Sequence, residues 1–317
     1  MHAPEKLLVG VIGARGYVGA ELLAILRRHP RLDLAYALSR EWAGQPVPGY
    51  EPSLRYEALT PEEAAARGAD VVVLALPNGQ SGPWLEALAA RPPRLIIDLS
   101  ADHRFASDWI YGLPELDRRS LVGAGRIANP GCYATAMQLA LHPFRALLAA
   151  APQCFGVSGY SGAGTTPSPR NDPKLLENNL MPYQLTGHLH EREVTHRLAH
   201  SVEFFPHVAA FFRGISITAN LRLSHPLTIE EAQSRLEHAY RNEPLIELHG
   251  NSIPWIRHVL GRPVAALGGL ALADGGRRLV LVCVLDNLLK GAASQAIQNL
   301  NAAVGWPETL GLSESVQ

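Results

Sequence analysis

The sequence has few cysteines, almost no net charge and no long hydrophobic run. Its three cysteines, Cys132, Cys154 and Cys283, lie far apart in 317 residues and form neither a CxxC nor a zinc-finger spacing. This pattern argues against a disulfide framework and is typical of a reducing compartment. The formal net charge of −1 predicts no general attraction to nucleic acid or to an anionic membrane. We therefore expect neither of those partners, and any anionic substrate must be bound by local cations.

The hydrophobic stretches are too short for a targeting signal or a membrane span. The apolar run Leu7–Ile12 has no basic n-region before it and no cleavage site after it. Residues 71–76 are also far below the roughly 20 residues that a span needs. A hydrophobic content of 47% with 18% charged residues is typical of a globular protein, and the length allows two domains. We therefore expect a cytoplasmic protein.

Short apolar runs alternate with amphipathic segments as far as about residue 150. Near-continuous hydrophobicity is typical of strands that are buried on both faces of a parallel sheet. The predicted strands are Leu7–Ile12, Leu32–Leu38, 71–76 and Leu95–Asp98. The spacing of apolar residues predicts a helix over 17–29, and Thr60-Pro61-Glu62-Glu63 predicts the start of another. This order predicts an α/β fold with a Rossmann-type parallel sheet.

Beyond Cys132 the pattern changes and predicts an α+β domain with an antiparallel or mixed sheet. The predicted elements are helices at 134–151 and 228–242, strands at 154–158, 202–212 and 215–223, and a hairpin of 267–272 with 279–285. Residues 160–182 are rich in Gly, Ser, Thr, Pro and Asn, which indicates a long functional or mobile loop. A last helix, 288–304, is expected to pack on the first domain.

A glycine-rich loop, Gly13-x-x-Gly16-x-x-Gly19, stands between the first strand and the first helix. Glycines there allow a pyrophosphate to approach the free amides of a helix N-terminus. The cofactor contacts predicted for this loop are Gly13, Arg15, Gly16, Tyr17, Val18 and Gly19. The alternative is a tight turn that needs glycine only for packing.

The residues after the second strand bear on the choice of dinucleotide. Ser39 and Arg40 stand where an NAD enzyme tends to carry an acid for the ribose hydroxyls. A hydroxyl and a guanidinium suit a 2′-phosphate, so the sequence favours NADP over NAD. The alternative for Arg40 is a solvated surface cation.

The segment Asn129-Pro130-Gly131-Cys132-Tyr133 places a cysteine where a helix is predicted to begin. Unpaired amides and the helix dipole at such a position lower the pKa of a thiol and favour the nucleophilic thiolate. The alternative is an inert buried cysteine, a description that fits Cys154 and Cys283 in their apolar strands. We therefore predict that Cys132 is a catalytic nucleophile.

The segment Gly187-His188-Leu189-His190-Glu191-Arg192-Glu193 offers a proton acceptor for that thiol. On a helix, His190 and Glu193 share one face, so the carboxylate could orient the imidazole. One alternative is the charged start of a surface helix. Another is a metal site of His188, His190 and Glu193, but no further Cys or His stands at a supporting spacing. We therefore predict no metal.

Several motifs, taken in order, resemble those of the N-acetyl-gamma-glutamyl-phosphate reductases of arginine biosynthesis. They are Gly13-x-x-Gly16-x-x-Gly19, Asp98-Leu99-Ser100-Ala101-Asp102-His103-Arg104, Tyr111-Gly112-Leu113-Pro114-Glu115-Leu116, Asn129-Pro130-Gly131-Cys132-Tyr133, Ser158-Gly159-Tyr160-Ser161-Gly162-Ala163-Gly164, Gly187-His188-Leu189-His190 and Asp286-Asn287-Leu288-Leu289-Lys290-Gly291-Ala292. The resemblance covers nearly the whole chain. It implies a fold like that of aspartate-semialdehyde and glyceraldehyde-3-phosphate dehydrogenases, and a homodimer or homotetramer.

The resemblance also implies an activity and a role for particular residues. The activity is NADPH-dependent reduction of the acyl phosphate N-acetyl-glutamyl 5-phosphate to N-acetyl-glutamate 5-semialdehyde and phosphate, through a thioester on Cys132. His190, with His188 beside it, would be the acid/base. Asn287 would hold the nicotinamide carboxamide, with Pro77 near the ring. Arg104 would meet the phosphate, and Asn129, Ser161, Gly162 and Arg213 would contact the substrate.

The resemblance further implies a division of the chain by function. Residues 1–131 with 287–317 would form the NADP-binding domain, and residues 132–286 the catalytic, substrate and oligomerisation domain. The sequence departs from the commoner family pattern at His103, where many members carry Phe, at Asn78, where many carry His, and after Gly164, where Arg is often found. Its segments Thr165-Thr166-Pro167-Ser168-Pro169 and His190-Glu191-Arg192-Glu193 resemble a fungal-type branch of the family more closely.

Two other classes of function fit parts of the sequence. An aspartate-semialdehyde or N-acetyl-aminoadipyl-phosphate reductase would keep the same cysteine and cofactor with a different substrate length or charge. A non-catalytic NADP-binding regulator would need neither Cys132 nor the two histidines. The simultaneous presence of these residues and Asn287 argues against the regulator.

Overall fold

Residues 6–312 are described by a computed structural model of the chain. Within them, residues 6–130 and 292–312 pack together as a first unit, and residues 131–291 pack together as a second. The division derived from the sequence, at 131/132 and 286/287, assigns functions as well as packing, and it stays a prediction.

The strands and helices of both units are numbered along the chain. The strands are β1 (Leu7–Ile12), β2 (Leu32–Leu38), β3 (Val71–Leu74), β4 (Leu95–Asp98), β5 (Ile110–Tyr111), β6 (Arg126–Ala128), β7 (Gln153–Gly159), β8 (Leu180–Pro182), β9 (Glu203–Ala209), β10 (Ile215–Arg222), β11 (Ile246–Leu248), β12 (Ala265–Ala273) and β13 (Arg278–Leu285). The α-helices are α1 (Tyr17–Arg28), α2 (Pro61–Arg67), α3 (Gly82–Leu88), α4 (Pro114–Asp117), α5 (Cys132–Leu141), α6 (Pro173–Leu176), α7 (Leu189–Leu198), α8 (Ile229–Tyr240) and α9 (Ala293–Ala303).

The first unit contains a six-stranded sheet in the order β2-β1-β3-β4-β6-β5, and every pairing in it is parallel. Every residue of β3 and β4 is buried, in keeping with the hydrophobicity of β3 and of the first three residues of β4. The prediction of a Rossmann-type parallel sheet is therefore confirmed. Strand β3 ends at Leu74, two residues earlier than predicted, where its partner β1 also ends.

Local signals explain where the helices of the first unit begin and what they bury. Thr60 and Glu63 form a capping box at the start of α2, as the sequence predicted. Helix α1 buries its leucine and isoleucine face and ends at Arg28, before His29 in extended conformation. Helix α9 packs against α1, so the prediction that the last helix joins the first domain's elements is confirmed.

Helix α9 is buried along its whole length although half of its side chains are polar. Its amides meet hydrogen-bond partners: Gln298 donates to Glu115 and Glu308, and Asn299 donates to the carbonyl oxygen of Gly112 and to Asn129. The helix begins at Ala293 rather than at the predicted residue 288. The Asp286 carboxylate accepts the amides of Leu288 and Leu289 and holds that segment as a turn.

The second unit contains a mixed seven-stranded sheet in the order β11-β12-β13-β10-β7-β9-β8. Helix α5 packs against β10 and β13, and α8 packs against β12. The predicted hairpin is confirmed, because β12 and β13 are antiparallel and are joined through Asp274–Gly276. The α+β prediction for this part of the chain is confirmed as well.

Two predicted elements of the second unit were wrong in extent. The helix predicted over 134–151 begins at Cys132 and ends at Leu141, because Pro143 lacks the amide that would continue it, and a 3₁₀ segment, His142–Leu147, follows. The strand predicted over 202–212 ends at Ala209, since the carbonyls of Phe211 and Phe212 accept the amides of Tyr160 and Ser161 instead.

The region 160–182, predicted as a loop without structure, contains short elements. They are 3₁₀ segments at Tyr160–Ala163 and Pro169–Asn171, helix α6 and strand β8. The cause is local capping, because Ser168 and Asn171 form a capping box and the Asp172 side chain caps α6. Among residues 6–312, no helix is both long enough and apolar enough to cross a bilayer.

One residue pair in the parallel sheet has a clear energetic consequence. The Tyr36 phenol lies so close over Gly10 that a Cβ at residue 10 would overlap it. Tyr36 is 1% exposed, and its hydroxyl has no hydrogen-bond partner among the described residues. Burial also raises the pKa of this phenol to about 12. A buried hydroxyl without a partner costs about 1–3 kcal/mol of stability.

We expect Tyr36→Phe to leave the free energy of unfolding unchanged or to raise it by about 1 kcal/mol, because it removes the unpaired hydroxyl and keeps the ring. Gly10→Ala should destabilise the chain, since the new methyl group meets that ring. Urea denaturation measures both. A loss of more than about 1 kcal/mol in Tyr36→Phe would show that the hydroxyl contributes an interaction.

Candidate active site

In the glycine loop after β1, the backbone approaches the segment after β3 and the start of α1 closely. Gly13 has a φ of +86°, and a Cβ there would collide with the carbonyl oxygen of Ala75. A Cβ on Gly19 would lie 2.6 Å from the carbonyl oxygen of Gly13. Gly16 is the N-cap of α1 and no side chain caps that end. The uncapped amides of α1 and the lack of side chains fit a phosphate group.

The other predicted cofactor residues of the first unit lie along the same edge of the sheet. Arg15 pairs with Glu41 at 2.9 Å, and Tyr17 and Val18 open α1. Ser39 and Arg40 follow β2; Ser39 is buried and Arg40 is exposed. Pro77 is exposed and follows β3. Because parallel strands end together, these residues share the carboxyl edge, where doubly wound sheets bind nucleotides.

Two predicted substrate residues, Arg104 and Asn129, are tied to each other at that edge. Arg104 is 6% exposed, and its guanidinium donates to the carbonyl oxygens of Asn129 and Leu99 at 2.9 and 3.0 Å. The Asn129 side chain donates to the carbonyl oxygen of Ala292 and accepts from Asn299. These contacts hold the segment that precedes Cys132, and a contact of Arg104 with phosphate stays a prediction.

His103, which replaces the phenylalanine common in the resembling family, has a partner that the sequence did not reveal. Its Nδ1 lies 2.6 Å from Asp98 Oδ2, at the end of β4, and its ring stacks on Trp109 at 4.2 Å. The imidazole therefore keeps the aromatic packing and adds a polar link. Asn78, the other departure, accepts the amide of Ala101 at 2.9 Å.

In the second unit, Cys132 is the first residue of α5 and Gly131 is its N-cap. The Gly131 amide donates to Glu193 Oε1 at 3.0 Å, and Glu193 lies fully buried on α7. Cys132 is half-buried, whereas Cys154 and Cys283 are fully buried and burial raises the pKa of both thiols, that of Cys154 to about 12. Cys132 is therefore the one cysteine of the chain that solvent reaches.

The turn after β13 packs directly on this cysteine. A Cβ on Gly291 would lie 2.8 Å from Cys132 Cβ and 2.6 Å from the carbonyl oxygen of Asn287. Asn287 is buried; its Oδ1 accepts the Gly214 amide at 2.6 Å, and its Nδ2 donates to Ser161 Oγ at 2.9 Å. One amide hydrogen of Asn287 is left for another acceptor. Its predicted role toward nicotinamide stays a prediction.

The remaining predicted substrate residues lie beside Asn287. Ser161 is buried, and a Cβ on Gly162 would lie 2.9 Å from Ser158 Oγ and 3.9 Å from Asn287 Nδ2. Arg213 forms an ion pair with the buried Asp286, with Nε at 2.7 Å and Nη2 at 3.0 Å from its two oxygens. The guanidinium of Arg213 is thus neutralised within the chain.

The two predicted acid/base histidines meet at the start of α7. His188 is the N-cap, and its Nδ1 accepts the His190 amide at 3.1 Å. The two ring centroids are 5.0 Å apart, and His190 lies 6.0 Å from the ring of Tyr133, the neighbour of Cys132. Burial, and secondarily the charge of Arg170, lowers the pKa of His188 to about 4, so its imidazole is neutral at pH 7.

The predicted orientation of His190 by Glu193 stays a prediction, while the amide of Gly131 is a partner of Glu193 that the spacing did not suggest. Sequence reasoning also missed the residues that surround the histidines. They are Tyr133, Arg170, Tyr183 and Phe204. Among residues 6–312, no group of three or more His, Cys, Asp or Glu side chains is arranged to hold a metal ion.

Family models match both units. Residues 8–124 match the NAD-binding domain of semialdehyde dehydrogenases, and residues 132–287 match their dimerisation domain. Two curated relatives are named N-acetyl-gamma-glutamyl-phosphate reductase. One, from Xanthomonas campestris pv. campestris, is 56% identical over 96% of this chain and 98% of that protein. The other, from Xylella fastidiosa, is 55% identical over 95% of this chain and 93% of that protein.

Solved structures support the fold. Aspartate semialdehyde dehydrogenase II from Vibrio cholerae, complexed with ASA, has a TM-score of 0.76 at 18% identity and covers 94% of this chain and 98% of that one. Aspartate semialdehyde dehydrogenase with NADP from Candida albicans has a TM-score of 0.72 at 15% identity and the same coverage. The predicted likeness of fold to these dehydrogenases is confirmed.

The buried His188 predicts a loss of stability in acid. Its pKa in the folded chain, about 4, lies below the ordinary histidine value of 6.5, so protonation favours the unfolded chain as the pH falls below 6.5. At pH 5 this effect amounts to about 2 kcal/mol. His188→Asn keeps an acceptor for the residue-190 amide and does not titrate. We expect urea denaturation at pH 7 and pH 5 to show a smaller difference for the variant.

Some acid sensitivity will remain in His188→Asn, because burial also lowers the pKa of His29 and His142. An unchanged difference between pH 7 and pH 5 would contradict the assignment of the low pKa to His188.

Proposed function

The chain belongs to the N-acetyl-gamma-glutamyl-phosphate reductase family of oxidoreductases, and from that premise we propose the reaction of this chain in detail. It reduces N-acetyl-glutamyl 5-phosphate with NADPH to N-acetyl-glutamate 5-semialdehyde and phosphate, in arginine biosynthesis, through a thioester on Cys132. The observation that carries this proposal is the half-buried Cys132 at the first position of α5, whose neighbour Tyr133 has its ring 6.0 Å from the ring of His190.

The first chemical step is acyl transfer to sulfur. The Cys132 thiol gives its proton to His190, and the thiolate attacks the acyl carbon. A C–S bond forms, the bond between the acyl carbon and the phosphate oxygen breaks, and phosphate leaves with the electron pair. The amides at the start of α5 favour negative charge at this sulfur.

The second step consumes the thioester. NADPH, when bound, supplies the hydride that reduces the acyl carbon. The glycine loop, Ser39, Arg40 and Pro77 would hold the dinucleotide, because their uncapped amides, missing side chains and exposed cation fit its phosphates. Asn287 would offer its remaining amide hydrogen to the nicotinamide carboxamide.

The two histidines stabilise the negative charge on the substrate oxygen and transfer protons. Because His188 is neutral and its Nδ1 accepts the His190 amide, its proton sits on Nε2, where it can be donated to a developing oxyanion. His190 gives the proton that it took from the thiol to the departing phosphate. When the C–S bond breaks, its electron pair stays on sulfur as the thiolate and the carbonyl of the aldehyde re-forms. Ser161, Gly162, Asn129, Arg104 and Arg213 remain the proposed substrate contacts.

The substrate and the oligomeric state that we propose are argued from the relatives of this protein. The 55–56% identity to proteins named N-acetyl-gamma-glutamyl-phosphate reductase favours this substrate over aspartyl or aminoadipyl analogues. The match of residues 132–287 to a dimerisation domain supports a homodimer or homotetramer. We place the enzyme in the cytoplasm, in keeping with a biosynthetic role.

Cys132→Ser should lower kcat by at least about a thousandfold, because a serine hydroxyl is a poor nucleophile at neutral pH. The measurement is phosphate-dependent reduction of NADP with N-acetyl-glutamate 5-semialdehyde. Cys154→Ala is the matched control, since this buried cysteine lies in β7 and should leave kcat close to wild type. Turnover of Cys132→Ser near the wild-type rate would refute the thioester.

Arg40→Ser should raise the KM for NADP about tenfold and leave the KM for NAD nearly unchanged, because only NADP carries the 2′-phosphate. Steady-state kinetics with each cofactor measures the ratio. Arg119→Ser removes an equally exposed arginine from the first unit and serves as the control. An equal rise in both constants would contradict the assignment of Arg40 to the 2′-phosphate.

A further inference from the structure

Arg170 stands in a loop that is fixed by its neighbour Asn171. The Asn171 Nδ2 donates to the carbonyl oxygens of Gly164 and Thr166 at 2.9 and 2.8 Å. Its Oδ1 accepts the amide of Ser168 at 2.8 Å and the Ser168 hydroxyl at 3.2 Å. These four hydrogen bonds tie residue 171 back to residues 164, 166 and 168, so they fix the backbone that carries Arg170.

The guanidinium of Arg170 is held by Tyr183 and not by an acid. Its Cζ lies 5.0 Å from the centroid of the Tyr183 ring, a cation–π contact. Arg170 is exposed, and no carboxylate among residues 6–312 pairs with it. Arg213, by contrast, is neutralised by the buried Asp286. Arg170 is thus an oriented cation without a counter-ion.

Contacts lead from Arg170 to the reactive cysteine. The Tyr183 ring lies 5.6 Å from the His188 ring, which in turn lies 6.4 Å from the ring of Tyr133, the residue after Cys132. Tyr183 is close enough to both Cys132 and Arg170 for their charges to act on it. The pKa of Tyr183 is raised to about 12 by burial first and then by the negative charge of Cys132, while Arg170 opposes the shift.

We propose that Arg170 binds the carboxylate of the substrate, at the end of the molecule away from the reacting acyl carbon. The assignment rests on the proposed function, because N-acetyl-glutamyl phosphate and its semialdehyde both carry that carboxylate. With one face covered by Tyr183, the guanidinium offers its edge, which suits a planar, bidentate carboxylate.

The net charge around Arg170 favours a carboxylate over a phosphate as its ligand. One guanidinium beside a neutral His188 gives a single positive charge, which balances a carboxylate and not a phosphate dianion. The substrate phosphate would then be met elsewhere. The two anions of the substrate can be tested separately in the oxidative direction, where aldehyde and phosphate are added as independent reactants.

The experiment compares two aldehydes in phosphate-dependent NADP reduction: N-acetyl-glutamate 5-semialdehyde and N-acetyl-4-aminobutanal, which lacks only the carboxylate. Arg170→Gln should lower kcat/KM for the first by about 10- to 100-fold, the effect of one charge-assisted contact. It should change kcat/KM for the second less than about twofold and leave the KM for phosphate unchanged. Lys174→Gln, an equal charge change at an exposed residue of α6, should change none of these values.

Two results would overturn the assignment: an equal loss with both aldehydes, which indicates a structural role, or a rise in the phosphate KM alone, which indicates a phosphate site. A wild-type enzyme without phosphate-dependent activity would overturn the proposed function itself, and the assignment with it. If Arg170→Gln fails to fold, Arg170→Lys keeps the charge but loses the bidentate edge. It should then show a smaller loss with the carboxylate-bearing aldehyde only.

Discussion

The hydrogen bond from the Gly131 amide to the buried Glu193 carboxylate is the contact on which the arrangement around the cysteine depends. It joins the N-cap of α5, the helix that begins with Cys132, to α7, which carries His190 and is capped by His188. A carboxylate without a donor could not remain fully buried there. The amide and the dipole of α5 stabilise its charge, and in return Glu193 ties the start of α5 to the helix that follows the two histidines.

Much of the fold could be predicted from local pattern. A strand buried on both faces, such as β3, has an unbroken apolar sequence, and the Thr60 and Glu63 capping box marks a helix start through contacts only three residues apart. The glycine loop and the cysteine at a helix start are equally local signals. The predicted end of an element was wrong where a single residue stops that element, as Pro143 does after α5.

The parts of the site that could not be predicted depend on long-range contacts. Glu193 was placed with His190 by helical spacing, yet it also receives the amide of Gly131, 62 residues away in the chain. Tyr183 and Arg170 reach the histidines because β8 pairs with β9 and because Asn171 fixes the preceding loop. His103 reaches Asp98 only once the segment after β4 turns back. Neither periodicity nor a local motif predicts such contacts between segments of the chain.

The division of the chain has a consequence for its biosynthesis. The second unit is one continuous stretch, residues 131–291, whereas the first needs both 6–130 and the later α9 that covers α1. Domains tend to fold as units while the chain is being translated. The second unit is therefore fully translated while the nascent dinucleotide-binding unit still exposes the apolar face of α1. During that interval the part of this face that α9 later covers is open to the surroundings of the nascent chain.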